Sequence, residues 1–164
     1  MSNSDVVSNS GVVSNSGVVS NSEAVQDVSA PVPQGRYVPA VYANGTVRTA
    51  GMTPRRDGVL VLTGRVGAEV SVEDARSAAA LAVGNALAAV RSALPAGRGF
   101  RPVEMVVYIA TAPGFTALST VADGASEVIE RELGPENLPA RSAIGVHTLP
   151  GDAPVEIALT AAVS

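Results

Sequence analysis

Read for the spacing of its apolar positions, the chain divides into a repetitive opening, two helical stretches and several short alternating runs. Residues 2–25 are four hexads: SNSDVV, SNSGVV twice, and SNSEAV. So regular a period invites a hexapeptide β-helix reading. Four short copies rich in Ser, Asn and Gly close no core, however, and no larger solenoid follows. The hexads therefore read as a solvated, disordered low-complexity tail. Gln26 to Gln34, with Pro31 and Pro33, reads as a linker, so residues 1–34 form tail and linker and 35–164 one folded domain.

Within that domain, Tyr42 to Met52 predicts a turn at Asn44-Gly45 followed by a strand, and Val59 to Val66 predicts a second strand after the Arg55–Gly58 loop. Ser71 followed by Glu73 and Asp74 reads as a helix N-cap with an acidic first turn. Ala75, Ala79, Val83, Leu87, Val90 and Leu94 make one apolar face of that helix, which Pro95-Ala96-Gly97 ends. Met105 to Thr111 is a compact apolar run, predicted as a central strand and broken by Pro113-Gly114. A second helix is predicted over Thr116 to Leu133, with Leu118, Val121, Ala125, Val128, Ile129 and Leu133 facing inward. Two alternating runs, Ser142 to Leu149 and Val155 to Val163, close the chain. The order β-β-α-β-α-β-β implies an α+β two-layer sandwich, a mixed sheet with both helices on one face.

Composition then narrows the chemistry. The chain has 164 residues, no Cys and no Trp, and its 11 basic residues are all Arg. Without Cys there is no disulfide framework, thiolate nucleophile or zinc-thiolate site. His147 is the single His, which argues against a zinc centre. Without Lys, Schiff-base catalysis and the P-loop lysine are excluded. No metal and no cofactor are expected. Arg remains as the cation for planar, bidentate carboxylate recognition. The net charge of −4 and 3% aromatics argue against nucleic acid. The longest uncharged apolar window, Ser77 to Val90, has 14 residues, short of the ~20 that span a membrane. The opening residues lack the basic and apolar regions of a secretory leader. Neither nucleic acid nor membrane is expected as a partner, and the expected location is cytoplasmic.

Arg141 heads the first closing run and Glu156 the second. The connection Pro150 to Pro154 is too short for a parallel crossover, so the two strands should run in opposite directions. At ~3.3 Å per residue, Arg141 and Glu156 then lie roughly 20 Å apart at opposite ends of the pair. A site shared between them would form between subunits. Taken alone, Arg141 reads as a solvated or ion-paired surface cation, Glu156 as a residue on the polar side of a strand, and His147 as an exposed or satisfied strand residue.

Several blocks in order resemble the RidA (YjgF) family of enamine/imine deaminases: Gly35-Arg36-Tyr37, Thr49 to Pro54, Pro139-Ala140-Arg141-Ser142-Ala143, Leu149-Pro150 and Val155-Glu156-Ile157. The resemblance covers Gly35 to Val163. It implies a chorismate-mutase-like fold assembled as a homotrimer with clefts at subunit interfaces. It further implies hydrolysis of 2-imino acids, formed from enamines such as 2-aminoacrylate, to 2-keto acids and ammonia. Arg141 matches the arginine that clamps the substrate carboxylate, and Glu156 the acid that handles the attacking water. Tyr37 and Gly51 match cleft-lining positions, and the Ala143 carbonyl matches a contact to the substrate nitrogen.

The chain departs from the family pattern at Ala50, Met52 and Ala158. Asp123 stands near a position often occupied by Asn. If Asp123 faces the cleft it disfavours a second carboxylate, and Met52 would enlarge an apolar pocket. Other functions compatible with the residues are a non-catalytic carboxylate-binding trimer, a tailoring protein in a biosynthetic pathway, and a ribonuclease, against which charge and the missing Lys argue.

Overall fold

The computed structural model describes residues 31–164, so the hexads lie outside the described residues. A five-stranded sheet carries two helices on one face. Its strands are β1 (Ala40–Ala43), β2 (Thr46–Thr49), β5 (Phe100–Ala110), β6 (Ala140–Val146) and β7 (Val155–Val163). They lie in the order β1-β2-β7-β5-β6. Only β5 and β6 are parallel; every other neighbouring pair is antiparallel. A separate small hairpin joins β3 (Arg55–Arg56) to β4 (Val59–Leu60).

The sheet strands and helices follow one another as β-β-α-β-α-β-β, but the first two strands are not the ones the pattern predicts. The Asn44-Gly45 turn is a hairpin with a strand on each side. The predicted strand after the turn is β2, and β1 before it is additional. The run Val59 to Val66 does not enter the sheet. Only Val59–Leu60 is extended and paired, and Gly64 takes φ +108, where a strand cannot continue. Val66 is nonetheless fully buried, held by bridges to Val70 and Thr111.

Helix α1 spans Val72–Ala93, and Ser71 Oγ accepts the Asp74 N–H at 3.1 Å as its N-cap. Its buried face is mostly alanine, with Val83, Leu87 and Val90. Small side chains let the helix lie close to the sheet. Helix α2 spans Leu118–Leu133 and buries Val121, Ala125, Val128 and Ile129. Between the layers, alternate residues of β7 (Val155, Ile157, Leu159, Ala161) and β5 (Met105, Val107, Ile109) are buried against both helices. Fully burying each larger aliphatic here contributes roughly 1.5–3 kcal/mol.

Among the described residues, no layer covers the opposite face of the sheet. Ile144 and Val41 there are exposed, and Val106, Tyr108 and Ala158 are half-buried. An antiparallel-rich sheet ordinarily turns polar residues toward water on its open face. Here Val106, Tyr108, Ile144 and Ala158 form an apolar patch beside the polar row Arg48, Thr160 and Glu104.

Two expectations need correction. The strands β6 and β7 do run in opposite directions, but they are not neighbours, because β5 lies between them. A short connection excludes a parallel crossover but does not oblige its two strands to pair. Met52, expected at a pocket, is only 6% exposed in the core and forms an antiparallel bridge with Ile157.

Candidate functional site

Strand register settles which face each candidate occupies. Arg141 is opposite Met105, and Met105 belongs to the buried, helix-facing set. Glu156 is opposite Tyr108, on the uncovered face. Both partners lie on β5, three residues apart, and an odd offset puts side chains on opposite faces. Two strand spacings across and three residues along give a Cα separation of roughly 14 Å. Arg141 and Glu156 therefore do not meet in one chain. The obstacle is the sheet itself, and not the length of a strand pair.

The Arg141 half-site is built from β6 and α2. Arg141 is on the edge strand, so its side chain reaches the flank of α2 instead of ending in the core. Asp123 and Ser126 are three residues apart on α2 and so share a face. Arg141 Nη1 donates to Asp123 Oδ1 at 2.8 Å and to Ser126 Oγ at 2.8 Å. The side chain of Arg141 is 22% exposed and that of Asp123 50%. The arginine is thus held in place while one side remains open to solvent.

Ala143 lies two residues further along the same face of β6. The Val146 carbonyl accepts the Thr111 N–H at 3.0 Å, across the β5 side. Backbone groups alternate along a strand, so the Ala143 carbonyl points the other way, toward the open sheet edge.

The Glu156 half-site is a product of backbone irregularity. Between the pairs Arg48–Thr160 and Met52–Ile157, the β2 side advances four residues and β7 only three. The extra residue makes a bulge over Thr49 to Gly51. Thr49 Oγ1 accepts the Leu159 N–H at 3.0 Å, replacing a ladder bond. The Glu156 carboxylate lies directly over Gly51, where any Cβ would collide with it. It forms no salt bridge with a described residue. Withdrawal from water pushes its carboxyl above the usual carboxylate range.

Tyr37 is 46% exposed, and its hydroxyl accepts the Gln34 N–H at 3.1 Å. Among the described residues its hydrogen bonds stay within its own segment, Gln34 to Tyr37. His147 is exposed beyond the end of β6. The structure therefore brings Glu156 together with Gly51, and Arg141 together with Asp123. Ser126 is absent from the sequence reading, where a lone polar residue on a helix looks like solvent-facing surface. Its three-residue spacing from Asp123 is the one signal that could have found it.

Among the described residues, no group of three or more His, Asp or Glu side chains could hold a metal ion. No described helix is long and apolar enough to cross a membrane.

Comparison with known proteins agrees with this architecture. The family profile described as Endoribonuclease L-PSP matches residues 27–163. Protein TCP17 of Trypanosoma cruzi is 33% identical over 131 residues, covering 79% of this chain and 82% of its own. The crystal structure of Atu1372 from Agrobacterium tumefaciens is 33% identical with a TM-score of 0.74, covering 79% and 83% of the two chains. That of E. coli TdcF with bound serine is 25% identical with a TM-score of 0.61, covering 84% and 95%. The chain belongs to the L-PSP family, which is the RidA (YjgF) family that its sequence blocks resemble.

Proposed function

We propose that the chain is a hydrolytic deaminase of reactive 2-imino acids, acting as a homotrimer whose clefts take Arg141 from one subunit and Glu156 from its neighbour. The observation that carries this reading is the division of the pair between opposite faces of one sheet. A half-site with a cation and a half-site with a desolvated acid complete each other only across an interface. The apolar patch of Val106, Tyr108, Ile144 and Ala158 on the open face, with Ile144 exposed, supplies surface for such an interface. The serine bound to TdcF supports a small ligand carrying an α-carboxylate.

The chemistry needs no covalent nucleophile. Arg141 holds the substrate carboxylate, a charge-assisted contact of ~1.5–3 kcal/mol. A protonated imine carbon is already electrophilic. Glu156 takes a proton from water as its oxygen bonds to that carbon, general-base assistance typically worth about 10²–10⁴-fold. The Ala143 carbonyl, at the open edge, accepts a hydrogen bond from the iminium nitrogen. Tyr37 and Gly51 line the cleft. Glu156 returns that proton to the nitrogen of the tetrahedral adduct. The C–N bond then breaks as the hydroxyl oxygen forms the carbonyl and gives its proton back to Glu156, releasing ammonia and the 2-keto acid.

The test generates 2-iminopropanoate in place from alanine with an amino-acid oxidase and follows the added rate of pyruvate and ammonia appearance. Wild type should accelerate it, while Arg141→Ala and Glu156→Gln should do so at least about tenfold less at the low, steady imine level the oxidase maintains. Equal rates for all three proteins would sink the assignment. Arg141-dependent binding of pyruvate without turnover would make the protein a carboxylate-binding module instead.

A further inference from the structure

Arg141 offers five N–H donors in a rigid planar fork. Both hydrogens of Nη1 are committed, one to Asp123 Oδ1 and one to Ser126 Oγ, each at 2.8 Å. Among the described residues, no hydrogen bond is made by Nε or Nη2. The end-on edge of the fork, Nη1 with Nη2, is therefore closed to a bidentate ligand. The side-on edge, Nε with Nη2, is intact.

We infer that Ser126 and Asp123 are positioning residues that present this side-on edge, and that Asp123 also restricts the clamp to ligands with a single carboxylate. The inference rests on reading Arg141 as the carboxylate clamp. Its basis is a charge count around one guanidinium. The cation at Arg141 is already balanced by Asp123, so one bound carboxylate brings the cluster to −1. A second carboxylate on the same ligand meets that net negative charge. Asp123 keeps half its side chain exposed, so its charge is not sealed from the solvent around the guanidinium and acts on a ligand there through a short distance. Ser126 is neutral and shares the positioning duty without the charge.

The two duties separate by substitution. Asp123→Asn keeps an oxygen acceptor for Nη1 and removes the charge. Ser126→Ala removes an acceptor and leaves the charge alone. The experiment measures dissociation constants of pyruvate and 2-oxoglutarate for the full chain by calorimetry at pH 7.5. It compares wild type with Asp123→Asn, Ser126→Ala and Arg141→Ala.

Wild type should prefer pyruvate by about tenfold or more, equivalent to about 1.4 kcal/mol. Asp123→Asn should bring the two ligands to within about twofold by tightening 2-oxoglutarate. Ser126→Ala should weaken both ligands by a similar factor, about threefold, and keep the preference. An unchanged preference in Asp123→Asn, with binding still lost in Arg141→Ala, overturns the inference and leaves the clamp standing. Pyruvate binding by Arg141→Ala at wild-type strength, or none by wild type, overturns the clamp and the inference with it.

Discussion

The two half-sites are made by different means. At Arg141, three side chains on two elements satisfy one another: the guanidinium from β6, with Asp123 and Ser126 from α2. At Glu156, a backbone bulge and a missing side chain at Gly51 make room for a carboxylate that has no charged partner in the described chain. The first arrangement gives its charge partners, and the second withdraws its charge from water. That contrast matches the two tasks proposed. A clamp has to hold a carboxylate in place, whereas a base must be able to accept a proton during the reaction.

The contrast can be broken most sharply at the acid. Glu156→Gln should lower kcat by ~10²–10⁴-fold in the oxidase-coupled assay with little change in KM. Arg141→Ala should act on the other parameter, raising KM by about 10- to 150-fold as its contact of ~1.5–3 kcal/mol is lost. A matching fall in kcat for both variants would show that the two half-sites do not divide the work in this way.

Gly51→Ala tests the backbone half alone. The added methyl must displace the Glu156 carboxylate, so kcat should fall by about tenfold or more, the cost of a misplaced catalytic group, while pyruvate affinity stays at the wild-type level.

The smallest effect is the pH dependence. Burial raises the pKa of Glu156, so its protonated form is favoured in the fold. Activity should fall on acidification through a value above the usual carboxylate range, and Glu156→Gln should lack that limb. The linkage to stability has the opposite sign. The favourable contribution of protonated Glu156 is present at low pH and is lost as pH rises through its raised pKa. Relative to Glu156→Gln, wild type should therefore lose melting temperature over that window. A difference between the two proteins that does not change with pH would show that burial does not govern this carboxyl.

Both helices were legible because each carries a long periodic apolar face, and for α1 also a capping Ser with acidic residues behind it. Their ends fell within two residues of the predicted ones. Short strands were less legible. The run Val59 to Val66 has the right composition, but Gly64 adopts a conformation that apolar content does not report. Strand β1 is only four residues long, beginning right after Pro39, too little for a period-two pattern to stand out. Of the candidate site, Arg141 and Glu156 were visible through the family blocks. Ser126 was not, because its meaning depends on an arginine fifteen residues away on another element.

What the sequence by itself determined is the inventory and the local order: an all-Arg cationic set, no thiol or amine nucleophile, two amphipathic helices, and alternating closing runs. These depend on residue type and near-neighbour spacing, which the chain carries directly. Tertiary structure alone decided that β5 inserts between β6 and β7. It also decided that the three-residue offset along β5 turns Arg141 and Glu156 to opposite faces. Pairing of strands distant in sequence is chosen by the burial of whole faces, a sum over the core that no single stretch contains. In this protein that choice turns two nearby sequence positions into halves that one chain cannot join.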